Sequence, residues 1–413
     1  MIQLKKVFGY WNSSFVIFIM FASQAIWWSF FQIWLINNLH FSGSQVGIIY
    51  SFNSAVTLVL MLAYGMIQDR LRLNSNLLIF CAALISLVGP FFSWIYVPLL
   101  TNHFAIGVFV GALYIPAAFL ATAPLTETYA EKASRQFNFD YGKARAWGSL
   151  GYALATLIGG FMFTISPELN FWSGSFLGVL FLIDAIFTRK KVLSIRQNEQ
   201  LSEKSSIPTL AEMLAVAKMP TLYMTIILTM FTWTFYTVFD QQMFPQFYTS
   251  LFTQQSSGEQ FYGVLNSVQV FGEAIMMVLI PFLMHKIGVK KTLLLGITVM
   301  IIRIGLCGVA DNPIAVSLIK MLHSIEVPLF MLPMFRYFTL HFNTKLSATL
   351  YMVGFQIAAQ VGQVILSTPL GILRDSVGYH TTFLVISAIV LCALIFAILT
   401  LKKDTEDIYG EAL

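Results

Sequence analysis

The sequence predicts an all-α membrane protein, twelve transmembrane helices arranged as two pseudo-symmetric six-helix bundles. Three observations carry that prediction. Hydrophobic residues make up 57% of the 413, charged residues only 10%, and the mean hydropathy is +0.76. A soluble domain carries roughly 25% charged residues and must cover its exterior with polar groups, so the solvent here is membrane lipid. Apolar runs of about 20 residues, the length that spans a bilayer, recur twelve times along the chain, and the basic residues concentrate in alternate connections. This composition excludes extended disorder, a nucleic-acid-binding module and a secreted disulfide scaffold. Cys81, Cys307 and Cys392 each sit inside an apolar run, an odd and scattered set that gives no disulfide framework.

Taken in order, the first span covers 10–38. Lys5 and Lys6 precede it, but its apolar run from Phe15 to Leu35 is too long for a signal peptide and has no small-residue cleavage site, so it reads as retained. The second, 44–68, closes on Gln68-Asp69-Arg70-Leu71, and a Leu-rich third follows at 76–98. Spans four and five, 104–130 and 145–166, are the least sharply marked, because Glu127 and Arg145 stand near their ends. The sixth, 170–188, runs into Arg189-Lys190-Lys191, and Asp184 just ahead of them reads as an end-of-helix charge. The second half repeats the plan at 220–247, 259–284, 292–309, 314–338, 346–370 and 380–401. Its second span ends on Met284-His285-Lys286-Ile287, a faint echo of the basic turn after span two.

Nineteen of the 24 Lys and Arg lie in the two tails or in every second loop. By the positive-inside rule both termini are then cytoplasmic, which requires an even number of spans. The longest polar stretch, 189–219, divides an N-terminal six-helix bundle (1–188) from a C-terminal one (220–413). Duplicated halves are the architecture of a secondary transporter with its site between them near the midplane, although a pseudo-symmetric channel would carry the same duplication.

Ionisable groups inside a span cost about 2.5–3.5 kcal/mol on insertion scales and mark function by default. The first half holds Glu127, Arg145 and Asp184; the second holds Asp240, Glu273, Arg303, Lys320, His323 and Glu326. Lys320, His323 and Glu326 follow one another at three-residue intervals, which spreads them over about 120° of one helix face. Asp240 on span seven is the natural counter-ion for Lys320, since an unpaired ammonium in hydrocarbon deprotonates; the pair serves structure or function equally well. Arg303 cannot shed its proton, so it needs a carboxylate, and Glu326 is the best placed. An apolar setting favours a neutral carboxyl and a nearby guanidinium an ionised one; a movement that alters their separation switches proton affinity, as a proton-coupled carrier requires.

Glu127 and Arg145 bracket EKASRQFNFDYGKAR, and Tyr152 lies seven residues after Arg145 on the same helix face. A carboxylate, a forked guanidinium and an aromatic ring suit a sugar, with charge-assisted hydrogen bonds for hydroxyls and a ring for the C–H face. An interfacial salt bridge with an anchoring Tyr would leave the same signature. Gly107-x-x-x-Gly111 and Gly148-x-x-Gly151 read as close-packing points, and Trp27-Trp28 as interfacial anchors or pore lining. No metal-ligand spacing, phosphate loop or nucleophile–base pair stands out, so neither an enzyme nor a cofactor beyond a coupling proton is expected.

Four segments, EKASRQFNFDYGKARAWG at 131–148, VFDQQ at 238–242, IKMLHSIEVP at 319–328 and LSATLYMVGFQ at 346–356, give the chain its resemblance to a known family. It resembles the oligosaccharide:proton symporters of the major facilitator superfamily, which include lactose, raffinose and sucrose permeases, from about residue 10 to 401. The resemblance makes Glu127 and Arg145 the central sugar-binding pair and puts Arg303, His323 and Glu326 on the proton-coupling positions. Asp240 and Lys320 fall on an interhelical salt bridge, and Gln360 on a polar position near the sugar. Relative to lactose permeases, a stacking Trp is Tyr152 here and a second Asp–Lys pair is replaced by Thr237 and Ala359. The span-eight carboxylate is absent at Val270, with Glu273 one turn on, where it can serve the same site. These departures, with ARAWGSLGYA, NSVQVFGEA and LSTPLGILRD, resemble the sucrose permeases of the group.

The expectation is an inner-membrane, monomeric symporter that imports a disaccharide, sucrose above others, with a proton and by alternating access. Raffinose, melibiose, lactose or maltose are the rival sugars. A drug/proton antiporter would favour an apolar pocket over paired Glu and Arg, and a non-transporting sugar sensor would have no need of Arg303, His323 and Glu326.

Overall fold

The computed structural model describes residues 2–71, 76–196, 219–342, 347 and 350–406. Arg72, Lys345 and most of the 189–219 connection, which hold some of the nineteen basic residues counted above, lie outside the described residues, as does part of the 346–356 segment. Among the described residues every regular element is a helix. That is what hydrocarbon demands, because a helix satisfies its backbone N–H and C=O groups internally where no water can.

The helices are α1 (Ile2–Asn37), α2 (Gly43–Leu71), α3 (Asn76–Ser86 with Val88–Asn102, bent by 45°) and α4 (Phe104–Phe137). Next come α5 (Tyr141–Ile165), α6 (Pro167–Arg196), α7 (Pro220–Gln242), α8 (Gln255–Ile287), α9 (Val289–Cys307), α10 (Pro313–His341) and α11 (Tyr351–Thr400). Among the described residues nine are long and apolar enough to cross a membrane, and α3 with its bend makes a tenth. Helix α9 carries Lys290, Lys291 and Arg303 within its 19 residues, which lowers its hydropathy without shortening it. Helix α11 is 50 residues long, ~75 Å at the α-helical rise, more than twice the hydrocarbon thickness. It breaks at Gly378, whose φ of +78° only glycine adopts without strain. Its two arms complete the twelve.

The helices pack into two compact units: Met1–His40, Phe52–Ile207 and Glu259–Ser267 in one, and Phe41–Ser51, Pro208–Gly258 and Val268–Leu413 in the other, as far as these are described. Residues 43–51 of α2 and 259–267 of α8 thus belong with helices from the opposite half of the sequence. In the first unit, glycines on α5 let α1 approach closely. A Cβ at Gly151 would lie 2.5 Å from the Phe18 carbonyl oxygen, and one at Gly148 2.5 Å from Ile17 Cγ2. Gly107 on α4 packs on the α3 backbone, where a Cβ would stand 2.7 Å from Leu100 N. These are the contacts read from the glycine spacing. Trp27 is different: it is buried among Phe31, Phe92, Phe119 and Phe171. It packs the core of the bundle, because four rings from α1, α3, α4 and α6 enclose it, and it neither anchors at an interface nor lines a pore.

Candidate functional site

The first unit presents Glu127 and Arg145 from two helices joined by a tight turn. Asn138, in the left-handed region at φ +53°, ends α4, and Asp140 caps α5 by accepting from the Gly142 N–H at 2.8 Å. The turn folds α5 back on α4, so that Arg145 Nε meets Glu127 Oε1 at 2.6 Å. Both side chains keep about a third of their surface exposed, 34% and 33%. The arginine lies over the Phe21 ring of α1 at 4.6 Å, held there because Gly148 leaves no side chain between α5 and α1. Phe21 is a partner that the spacing of charges gave no means of finding. The glutamate uses the Nε edge of the guanidinium, and a planar fork has a second edge to offer a hydroxylated ligand. Tyr152, two turns further along α5, accepts a hydrogen bond from Ser29 Oγ at 3.2 Å.

The second unit gathers five of the charged residues into one cluster. Asp240 Oδ1 on α7 receives Lys320 Nζ at 2.6 Å, His323 Nδ1 at 3.1 Å and Arg303 Nη1 at 3.3 Å. Arg303 also grips Glu326 with two parallel bonds, Nε to Oε2 and Nη2 to Oε1, the latter at 3.1 Å. Arg303, Lys320 and Glu326 are at most 1% exposed, while the Asp240 side chain keeps 17%. Removing charges from water is costly unless each finds a partner; with a neutral histidine the two cations and two carboxylates balance. His323 Nε2 lies 3.0 Å from the Tyr236 hydroxyl. His323 Nδ1 therefore sits between the two partners of an ion pair, 3.1 Å from Asp240 Oδ1 and 3.5 Å from Lys320 Nζ, while its Nε2 faces the Tyr236 hydroxyl. Aromatic faces complete the lining, Phe239 4.9 Å from the Arg303 guanidinium and Phe244 4.7 Å from Lys320 Nζ.

Asp240 and Lys320, and Arg303 and Glu326, are therefore in direct contact, and Asp240 joins the two pairs into one cluster. Neither this shared oxygen nor the Tyr236 bond was legible in the sequence. An i+4 relation does place Tyr236 one turn before Asp240 on α7, and a hydroxyl there was the signal available. Glu273 on α8 accepts from Gln269 Nε2 one turn earlier, at 3.1 Å. Gln360 is half-buried on α11. Thr237 bonds back to the Trp233 carbonyl at 2.8 Å and Ala359 is buried, so no charge is stranded where the second pair is missing. Asp184 is more than a terminal charge, since Asn12 Nδ2 on α1 donates to it at 3.2 Å. Among the described residues, no group of three His, Cys, Asp or Glu is disposed to hold a metal ion.

Residues 1–412 match the family model described as LacY proton/sugar symporter. The chain is 41% identical to the sucrose permease of Escherichia coli over 395 residues, 95% of this chain and 94% of that protein. It is 33% identical to the raffinose permease of Escherichia coli over 396 residues, 96% and 93% of the two chains. The fold is similar to the crystal structure of nucleoside transporter NupG, with a TM-score of 0.81, 14% identity, and coverage of 96% of this chain and 99% of that one.

Proposed function

The chain belongs to the LacY proton/sugar symporter family, and we propose that within it the transported sugar is sucrose, bound by Glu127, Arg145, Tyr152, Glu273 and Gln360. Similarity to a sucrose permease supports the choice of sugar. The observation that carries the coupling mechanism is the unequal loading of the two buried carboxylates. Asp240 Oδ1 serves three basic groups and Glu326 is gripped by one. Protonating Asp240 would leave Lys320 without its carboxylate. Protonating Glu326 leaves Arg303 still 3.3 Å from Asp240. Glu326 is thus the carboxyl that can take up and give back a proton without stranding a buried cation.

On this reading Glu326 carries the proton inward with the sugar. Arg303 promotes its release when the two approach, and His323, placed between Asp240 and Tyr236, orients Asp240. Transport proceeds by alternating access. Both termini lie in the cytoplasm, the protein works as a monomer in the inner membrane, and the proton is its one coupling ion. The test is the pH of a lightly buffered suspension of cells expressing the protein. Adding sucrose should alkalinise the medium, because each inward step removes a proton, and lactose should do so far less. Sucrose uptake without a pH change would overturn symport; equal responses to both sugars would overturn the sucrose assignment.

A further inference from the structure

Tyr152 does not stand alone on α5. Ser29 Oγ on α1 donates to its hydroxyl at 3.2 Å, and Asn266 Nδ2 on α8 reaches the same Ser29 oxygen at 3.5 Å, the long end of hydrogen-bonding distance. Ser29 and Asn266 are each only 6% exposed. The turn of α8 that brings Asn266 is itself anchored inside the first unit. A Cβ at Gly263 would lie 2.9 Å from the Thr156 carbonyl oxygen, Tyr262 meets Phe30 edge-on at 5.7 Å, and Gln260 Nε2 donates to Thr164 Oγ1 at 3.3 Å.

The chemistry of the chain Asn266→Ser29→Tyr152 is directional. A phenol oxygen that accepts from Ser29 has its own O–H turned away from Ser29 and fixed in direction. An indole at the same place has a donor N–H and no acceptor, so a serine hydroxyl cannot donate to its ring nitrogen. The relay therefore works with tyrosine and not with tryptophan. It changes the kind of selection the position makes: an aromatic face discriminates weakly among sugars, whereas a site built to bond one hydroxyl rejects analogues lacking it far more strongly.

We propose that Ser29 and Asn266 are specificity-determining positioning residues, which aim the Tyr152 hydroxyl as a hydrogen-bond donor at one oxygen of the bound disaccharide. The proposal rests on the reading that Tyr152 belongs to the sugar site.

The experiment measures transport of sucrose and of a series of monodeoxy-sucroses by the full chain in proteoliposomes. Ser29→Ala and Tyr152→Phe should each raise the sucrose KM about tenfold, the fold-change expected from one hydrogen bond, with kcat nearly unchanged. Each should also abolish discrimination against one and the same deoxy analogue. Ser29→Thr, which keeps the hydroxyl, should restore discrimination, and Asn266→Ala should weaken it. The double variant Ser29→Ala/Tyr152→Phe should be no worse than Tyr152→Phe alone, because Ser29 acts through the phenol. Additive losses, or an unchanged analogue profile in Ser29→Ala, would overturn the proposal. Failure of the unsubstituted protein to carry any sucrose would instead overturn the sucrose assignment, and the two results are separable because the parent is assayed first. Tyr152→Phe removes a single oxygen and is near-isosteric, so its analogue profile keeps the comparison if Ser29→Ala folds poorly.

Discussion

At one carboxylate oxygen, Asp240 Oδ1, three basic side chains converge, and substitutions there should divide into structural and functional effects. Asp240→Asn leaves Lys320 buried without a carboxylate and should cost about 3–5 kcal/mol, the usual effect of breaking a buried pair. A marked fall in thermal stability is expected, partly recovered by adding Lys320→Met; no recovery would mean that the pair is not what Asp240 contributes. Glu326→Gln should leave folding nearly intact, since Arg303 retains Asp240. It should bind sugar and exchange labelled for unlabelled sugar, yet fail to accumulate it against a gradient. If instead Glu273→Gln gives exchange without accumulation and Glu326→Gln accumulates normally, the proton site lies on α8. In the first unit, Arg145→Lys loses the planar fork that meets Glu127 at 2.6 Å. Sugar binding measured by calorimetry should fall by tenfold or more while the protein still reaches the membrane. These partners were partly legible in advance, because a buried charge must have an opposite one nearby and few candidates existed. Phe21 beneath Arg145 was not, since nothing marks one ring among 38 Phe.

Among the elements, α2 shows how local and distant signals combine. Its start carries a capping box: Ser42 Oγ accepts from the Gln45 N–H at 3.3 Å, and Gln45 Oε1 from the Ser42 N–H at 3.0 Å. Two further amides, Gly43 and Ser44, donate to the Asp375 carboxylate at 2.7 and 2.8 Å, and Arg374 Nη2 lies 2.6 Å from the same carboxylate. The box is a sequence motif; the second cap comes from a residue 332 positions away. Asp375→Ala should therefore destabilise by about 1–2 kcal/mol, the scale of a lost N-cap. Hydrogen exchange at Gly43 and Ser44 should accelerate, and an unchanged exchange rate there would show that the carboxylate does not cap the helix. On α5, Gly151→Val should lower thermal stability or expression more than Gly142→Val. Gly151 faces the Phe18 backbone at 2.5 Å, whereas the nearest atom to Gly142 is Asp140 Oδ1 at 3.2 Å. The glycine spacing foretold the close contact, but not which helix fills it.

For the whole molecule, a competition assay checks the substrate: unlabelled sucrose should suppress labelled sucrose uptake far better than lactose does. Comparable suppression by both would reduce the assignment to disaccharides in general. The sequence alone determined the membrane class, the twelve spans, the duplicated halves and the family. It could do so because each span needs only a local apolar run, and each buried charge advertises itself against that background. Tertiary structure alone decided three things. It joined two ion pairs into one cluster through a shared oxygen of Asp240. It regrouped 41–51 and 259–267 with helices of the opposite half. It brought Asn266 to Ser29, 237 positions away, and Ser29 to Tyr152. Each depends on which helix faces meet, and that is set by side-chain packing between segments far apart in the chain, which no local pattern of residues encodes.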